Sequence, residues 1–140
     1  MLSIDWLSLT PFGINQEQLE NWISFSVRNE GFSLGELAVV FCSDDELLDM
    51  NVKHLGHDYF TDIITFDYCE EEVLSGDLFI SVDRVKDNAK SLGVGFEAEL
   101  DRVIIHGVLH LCGYGDKTDD EVVQMRIKED FYLGKREGFT

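Results

Sequence analysis

Cysteine is scarce in this chain of 140 residues: three occur, Cys42, Cys69 and Cys112, an odd number with no C-x-x-C spacing. That pattern excludes a disulfide framework and a cysteine zinc cage, and it fits a reducing compartment. Long apolar runs are also missing. None approaches the roughly 20 residues that span a bilayer. The opening stretch MLSIDWLSLT has no basic leader and carries Asp5 inside its short apolar run. A soluble, cytoplasmic protein with no membrane partner is expected. Cations are few as well, since 11 lysines and arginines stand against 28 aspartates and glutamates, a formal charge of -17. Such an excess argues against general adhesion to nucleic acid or anionic lipid, which needs a basic surface, so any RNA contact must be local. Proline occurs once, at Pro11, and no repeat, linker or low-complexity stretch divides the chain.

What is present is enough apolar residue, 44% of the chain, for one compact core, and residues 1–140 are expected to form a single domain. SIDWLSL alternates as a strand. Asn15 then reads as an N-cap for a helix carrying Leu19, Trp22, Ile23, Ser26 and Val27 at helical spacing. GELAVVFC has the pattern of a buried strand, and Ser43 with Glu46 forms a capping box that opens the helix DDELLDMNVKHLG. TDIITFDY and GDLFISV are two further strands, paired as a hairpin or as neighbours, with CEEEVLS as the acidic loop between them. DRVKDNAKSLG is a short helix stopped at Gly93. FEAELDRVIIHGVLHLC is a longer one ending at Gly113, and Thr118 with Glu121 caps a last helix through about Arg136. The order mixes helices and strands around one sheet of about four strands.

The longer helix carries the chemistry. His106 and His110 are i and i+4, so their imidazoles leave one face a turn apart, a spacing suited to chelating one ion. Gly113 ends the helix, and the turn after it is placed to bring Asp116 back beneath them as a third donor, leaving room for water. Zinc accepts carboxylate oxygen at nearly the same distance as imidazole nitrogen. The competing reading is plain: a histidine pair near a helix C-terminus can serve only the helix dipole, and a terminal glycine is routine. Gly107 between the histidines tilts the balance, because a mid-helix glycine costs about 1 kcal/mol and usually has a packing or access reason.

HGVLHLCGYGD resembles the H-G-x-L-H-L-x-G-Y-D-H signature of the YbeY family of metal-dependent endoribonucleases. MNVKHLGHDYFTDIITFDY is similar to the family's L-N-x-x-Y-R-x-K-D-x-P-T-D-V-L-S-F-P segment through Asn51, Asp58, Thr61, Asp62 and Phe66. SGDLFISVDRVKDNA resembles its G-D-I-x-I-S strand. The three motifs occur in order over about positions 35 to 133. The resemblance implies an α+β fold in one domain, with one zinc ion per chain on His106, His110 and Asp116. It also implies a role in ribosome quality control and in processing ribosomal RNA, notably the 3′ end of small-subunit RNA. Single-stranded RNA and the small ribosomal subunit are the expected partners.

Three positions depart from the family. Asp116 stands at the third ligand, Leu55 where an arginine implicated in activity is usual, and His57 where lysine is common. Leucine cannot bind phosphate or stabilise a developing negative charge. His57, as a catalytic donor, and Arg102, one turn before His106, are candidates to compensate, against the blander readings of a loop histidine and an ion pair with Glu99 or Asp101. Among the available cations, Lys53, His54, Arg84, Lys86 and Lys90 join these two, and Lys86 and Lys90 share a helix face as candidates for binding substrate. Asp77 reads most simply as a turn residue; alternatively GDLFIS is a sheet edge along which substrate runs.

Competing activities are a non-catalytic assembly factor stapled by its metal and, further off, a zinc peptidase. The peptidase H-E-x-x-H helix carries a glutamate base where this chain has Gly107. RNA asks less, since it can bring its own 2′-hydroxyl nucleophile.

Overall fold

The computed structural model describes residues 1–140 as an α+β domain with one four-stranded sheet and five α-helices. Strand β1 (Leu2–Trp6) leads to α1 (Gln16–Asn29), whose N-cap Asn15 accepts a hydrogen bond from the Gln18 amide at 3.0 Å. Leu19, Trp22, Ile23, Ser26 and Val27 form the buried stripe of α1, as their spacing predicts. β2 (Ser33–Cys42) runs into α2 (Asp44–Leu55), opened by the Ser43–Glu46 capping box and stopped by Gly56 at φ 69°. β3 (Ile63–Asp67), β4 (Val73–Ser81), α3 (Val82–Leu92), α4 (Phe96–Leu111) and α5 (Asp119–Lys135) follow, and a 3₁₀ turn (Arg136–Phe139) ends the chain.

The strand order is β1-β2-β4-β3, with β1, β2 and β4 parallel and β3 antiparallel to β4, from Ile63 opposite Ile80 to Asp67 opposite Gly76. β4 is therefore an inner strand, and GDLFIS is not the sheet edge. That edge is β3. β4 also begins earlier than its sequence suggests, at Val73 inside the expected acidic loop, because Val73 pairs with Ser33 and the Ser33 amide reaches the Glu72 carbonyl at 2.8 Å. β1 ends at Trp6, short of the expected SIDWLSL, where Ser8 turns into the left-handed region at φ 49°.

One sheet face carries the main core. Leu37, Val39 and Phe41 of β2 and Leu74, Leu78 and Ile80 of β4 meet α1, α3, α4 and α5. Each such aliphatic side chain contributes roughly 1.5–3 kcal/mol relative to exposure. A smaller cluster on α2, including Leu47 with Ile64, covers part of the other face. α4 lies close against the sheet at Gly107, where an added Cβ would come 2.5 Å from Ile63 Cδ1 and 3.0 Å from Leu78 Cδ2. This contact explains the glycine, and it sets the histidine helix directly alongside edge strand β3. No helix is long and apolar enough to cross a membrane.

Candidate metal centre

The site is built where α4 stops. Gly113 adopts φ 106°, available to glycine at little cost, and its amide returns to the His110 carbonyl at 3.0 Å. The chain then passes Gly115, which lies so near the start of α5 that a Cβ there would meet the Glu121 carboxylate. Glu121 in turn accepts from the Thr118 amide at 3.0 Å, closing the capping box of α5. Asp116 is thereby held between two fixed points and returned to the histidines.

His106, His110 and Asp116 form one group whose ligand atoms all lie within 4.8 Å of one another. His106 Nε2 is 2.9 Å from His110 Nε2, and Asp116 Oδ2 is 3.4 Å from the first and 3.2 Å from the second. Donors about 2.0–2.1 Å from a tetrahedral ion are about 3.3 Å apart, so the spacing fits one small cation.

The outer nitrogens make the argument stronger. His110 Nδ1 lies 2.8 Å from the Tyr114 carbonyl oxygen, which can only accept, so Nδ1 carries the proton. His106 Nδ1 lies 2.6 Å from Glu129 Oε2. Burial alone would push the Glu129 carboxyl up, but the hydrogen bond from His106 and the charges of Arg102 and Arg126 hold it below the usual range. Glu129 is ionised and accepts, so His106 also carries its proton on Nδ1. Both Nε2 lone pairs therefore converge with a carboxylate oxygen, three acceptors with no donor between them. That arrangement is repulsive until a cation fills it, and histidines oriented from behind by a carboxylate and a carbonyl are the usual device of metal sites.

Two buried networks support the centre. Glu129 is 1% exposed, and Arg102 bridges it at 3.4 Å to Glu99, also 1% exposed, which accepts from Arg102 Nε at 2.8 Å. Behind the turn, Glu30 accepts from the Tyr114 hydroxyl at 2.6 Å, from Tyr132 and from Lys128 at 3.2 Å. Desolvation would raise the Glu30 carboxyl, yet these three donors bring it below its ordinary value. Glu30 thus anchors the residue whose carbonyl orients His110.

Of the residues expected at the site, the histidines and Asp116 come together. Arg102 lies in the adjoining cavity of about 190 Å³, with His106, Asp116, Arg126 and Glu129, but its guanidinium is engaged by the two buried glutamates. His57 is exposed on the α2–β3 loop, stacked on Tyr59 with ring centroids 5.2 Å apart, and is not part of the metal group. Lys86 lines a different cavity, with Asp101 and Ile104 on another face of α4, and Lys90 is exposed on α3. Sequence reasoning missed Glu129 and Arg126. The available signal was an acidic residue on the apolar stripe of α5, four after Met125 and three before Tyr132, both buried. The peptidase base has no place here, since Gly107 faces the sheet.

A family model described as Endoribonuclease YbeY matches residues 11–137. The chain belongs to the YbeY family. A YbeY protein from Bacteroides thetaiotaomicron, named Endoribonuclease YbeY, is 48% identical over 123 residues, covering 88% of this chain and 90% of that protein. Another of the same name, from Flavobacterium johnsoniae, is 48% identical over 122 residues, 86% and 88% of the two chains. A solution structure of a Thermotoga maritima protein superposes with a TM-score of 0.67 at 31% identity, covering 99% of this chain and 90% of that one. Leu55, where the resemblance leads us to expect an arginine, closes α2 with its side chain exposed.

Proposed function

We propose that this protein is a zinc-dependent endoribonuclease that cuts single-stranded RNA in ribosome quality control and in maturation of the 3′ end of 16S ribosomal RNA on the small subunit, in the cytoplasm. The observation that carries the reading is the convergence of the His106 and His110 Nε2 atoms and one carboxylate oxygen at 2.9–3.4 Å. A divalent ion held by His106, His110 and Asp116 supplies positive charge and Lewis acidity to a phosphodiester. The chain does the rest. Glu129 and the Tyr114 carbonyl keep both imidazoles in the ligating tautomer, the Glu99–Arg102–Glu129 bridge prevents His106 from turning away, and Arg126 presents an exposed cation at the rim of the same cavity. Substrate RNA can bring its 2′-hydroxyl as nucleophile, so the absence of a side-chain base at Gly107 is tolerated.

The test is cleavage of a single-stranded RNA by zinc-loaded protein, with chelation and zinc re-addition, beside elemental analysis. Cleavage should disappear together with the metal in a His106→Ala, His110→Ala double variant, and full metal occupancy in that variant would sink the ligand assignment. Asp116→His should keep the ion and Asp116→Ala weaken it. The exposed Leu55, in place of the family arginine, favours a second reading, an assembly factor without catalysis. Protein that holds zinc but leaves every RNA intact would support it.

A further inference from the structure

Phosphate contacts usually dominate affinity for RNA. A chain with 11 cations and 28 acids has little of that affinity to offer, and Arg84 and Arg102 already lie against carboxylates. What it offers instead is aromatic. In the loop between α2 and β3, Tyr59 is 56% exposed and Phe60 47%, large values for flat rings that ordinarily dominate cores.

The rings are held rather than loose. Buried Asn51 donates to the Tyr59 carbonyl at 2.9 Å, and the His57 amide returns to the Asn51 carbonyl at 3.1 Å, so the loop backbone is tied to α2. His57 stacks on Tyr59 at an interplanar angle of 18°, with the Tyr59 hydroxyl 3.0 Å from His57 Nδ1. The Arg84 guanidinium stands 5.2 Å from the centre of the Phe60 ring. At its far end the loop is pinned by Asp62, whose carbonyl accepts from the Ser81 amide at 2.9 Å and whose carboxylate accepts from Asn88 at 3.2 Å.

Its position relative to the metal centre follows from the register. The next residue, Ile63, packs against Gly107, the neighbour of His106, so the loop enters edge strand β3 at the height of the first metal ligand. Nothing pairs with the outer side of β3. Stacking on aromatic faces recognises any base and does not depend on neutralising phosphates.

We infer that the α2–β3 loop is the substrate platform of this enzyme: unpaired bases of the RNA stack on Tyr59 and Phe60, which hold the strand along β3 with its backbone toward the metal ligands. The assignment rests on the nuclease reading above and names how that site engages single strands despite a leucine at position 55.

The experiment uses the zinc-loaded full chain and two 2′-O-methyl oligonucleotides of equal length and charge, one of uridines and one fully abasic, with binding read by fluorescence anisotropy. Wild type should hold the uridine strand at least about ten-fold more tightly than the abasic one. Tyr59→Ala with Phe60→Ala should remove that preference, about ten-fold per ring, while zinc content and abasic binding stay at wild-type level. Tyr59→Leu with Phe60→Leu, which keeps apolar bulk but no flat ring, should lose it as well. Equal binding of both oligonucleotides by wild type, or an unchanged preference in the alanine variant, overturns the assignment. If that happens while wild type still cleaves RNA, only the platform falls; if wild type neither binds nor cleaves any RNA, the nuclease reading falls with it.

Discussion

Asp101 and Arg102 are neighbours on α4, and both find a partner of opposite charge toward the C-terminal end of the chain, with opposite results. Arg102 lies between two buried carboxylates and hydrogen-bonds to both. Asp101 meets Arg136 with Nε 3.3 Å from Oδ2, close enough for an ion pair, yet that buried N–H finds no aligned hydrogen-bond acceptor. The carboxyls record the difference. Burial raises the Asp101 carboxyl, and Arg136 only partly offsets it, whereas Glu129 stays below its usual range although it is only 1% exposed. Ionic groups in a protein interior are stabilised by complete hydrogen bonding and multiple partners, not by the presence of one opposite charge. The complete network lies behind His106, and the incomplete one lines the cavity of Lys86 on another face of the helix.

Breaking the complete side should give the largest effect. Glu129→Ala leaves the His106 Nδ1 proton without an acceptor and removes one of the two carboxylates that hold Arg102, so denaturant unfolding should report a loss of about 1–3 kcal/mol. A milder change sharpens the point. Glu129→Gln keeps the shape but offers His106 a weaker acceptor, and zinc affinity measured by competition with a chelator should fall about 10–100-fold. An unchanged affinity would mean that His106 is oriented by packing alone.

On the other side, Asp101→Asn should move stability at neutral pH by less than about 1 kcal/mol, because the charge it removes is poorly compensated. The pH dependence has a definite sign. With its folded-state value raised, Asp101 contributes stability that is fully present below the ordinary aspartate value, about 3.9, and lost as pH rises through the folded-state value. Unfolding curves at pH 4 and pH 7 should therefore shift in favour of the asparagine variant at the higher pH. The smallest effect is expected from Lys86→Glu with Lys90→Glu. These residues do not line the metal cavity, so RNA cleavage should weaken only modestly, and the difference should vanish above about 0.15 M salt, where exposed charges farther apart than some 8 Å are screened.

Much of this was legible in the sequence because it is local. The capping boxes at Ser43–Glu46 and Thr118–Glu121 form as written, and the stop at Gly113 follows from residues a few positions apart. The grouping of His106, His110 and Asp116 is local too, spanning a helical turn and a tight reversal. What escaped was long-range. The inner position of β4 depends on pairing with β2, some forty residues earlier, and no alternation pattern encodes which strand lies at an edge. Glu129 is 23 residues from His106, and a glutamate in a helix rich in acids reads as solvent-facing until the partner helix is in place.

Ring size decides what the ion does to the rest of the molecule. A cross-link restrains the unfolded chain according to the length of the loop it closes, and here the loops run only from His106 to His110 and from His110 to Asp116. Such short rings remove little disorder from an unfolded chain. Zinc removed by a chelator should abolish RNA cleavage and lower the thermal midpoint only as far as the folded chain binds zinc more tightly than the unfolded one, whose closely spaced histidines still offer two ligands. On the proposed zinc reading, the folded protein would load, lose or exchange the ion without passing through an unfolded state, a freedom that domains folding only around their zinc do not have.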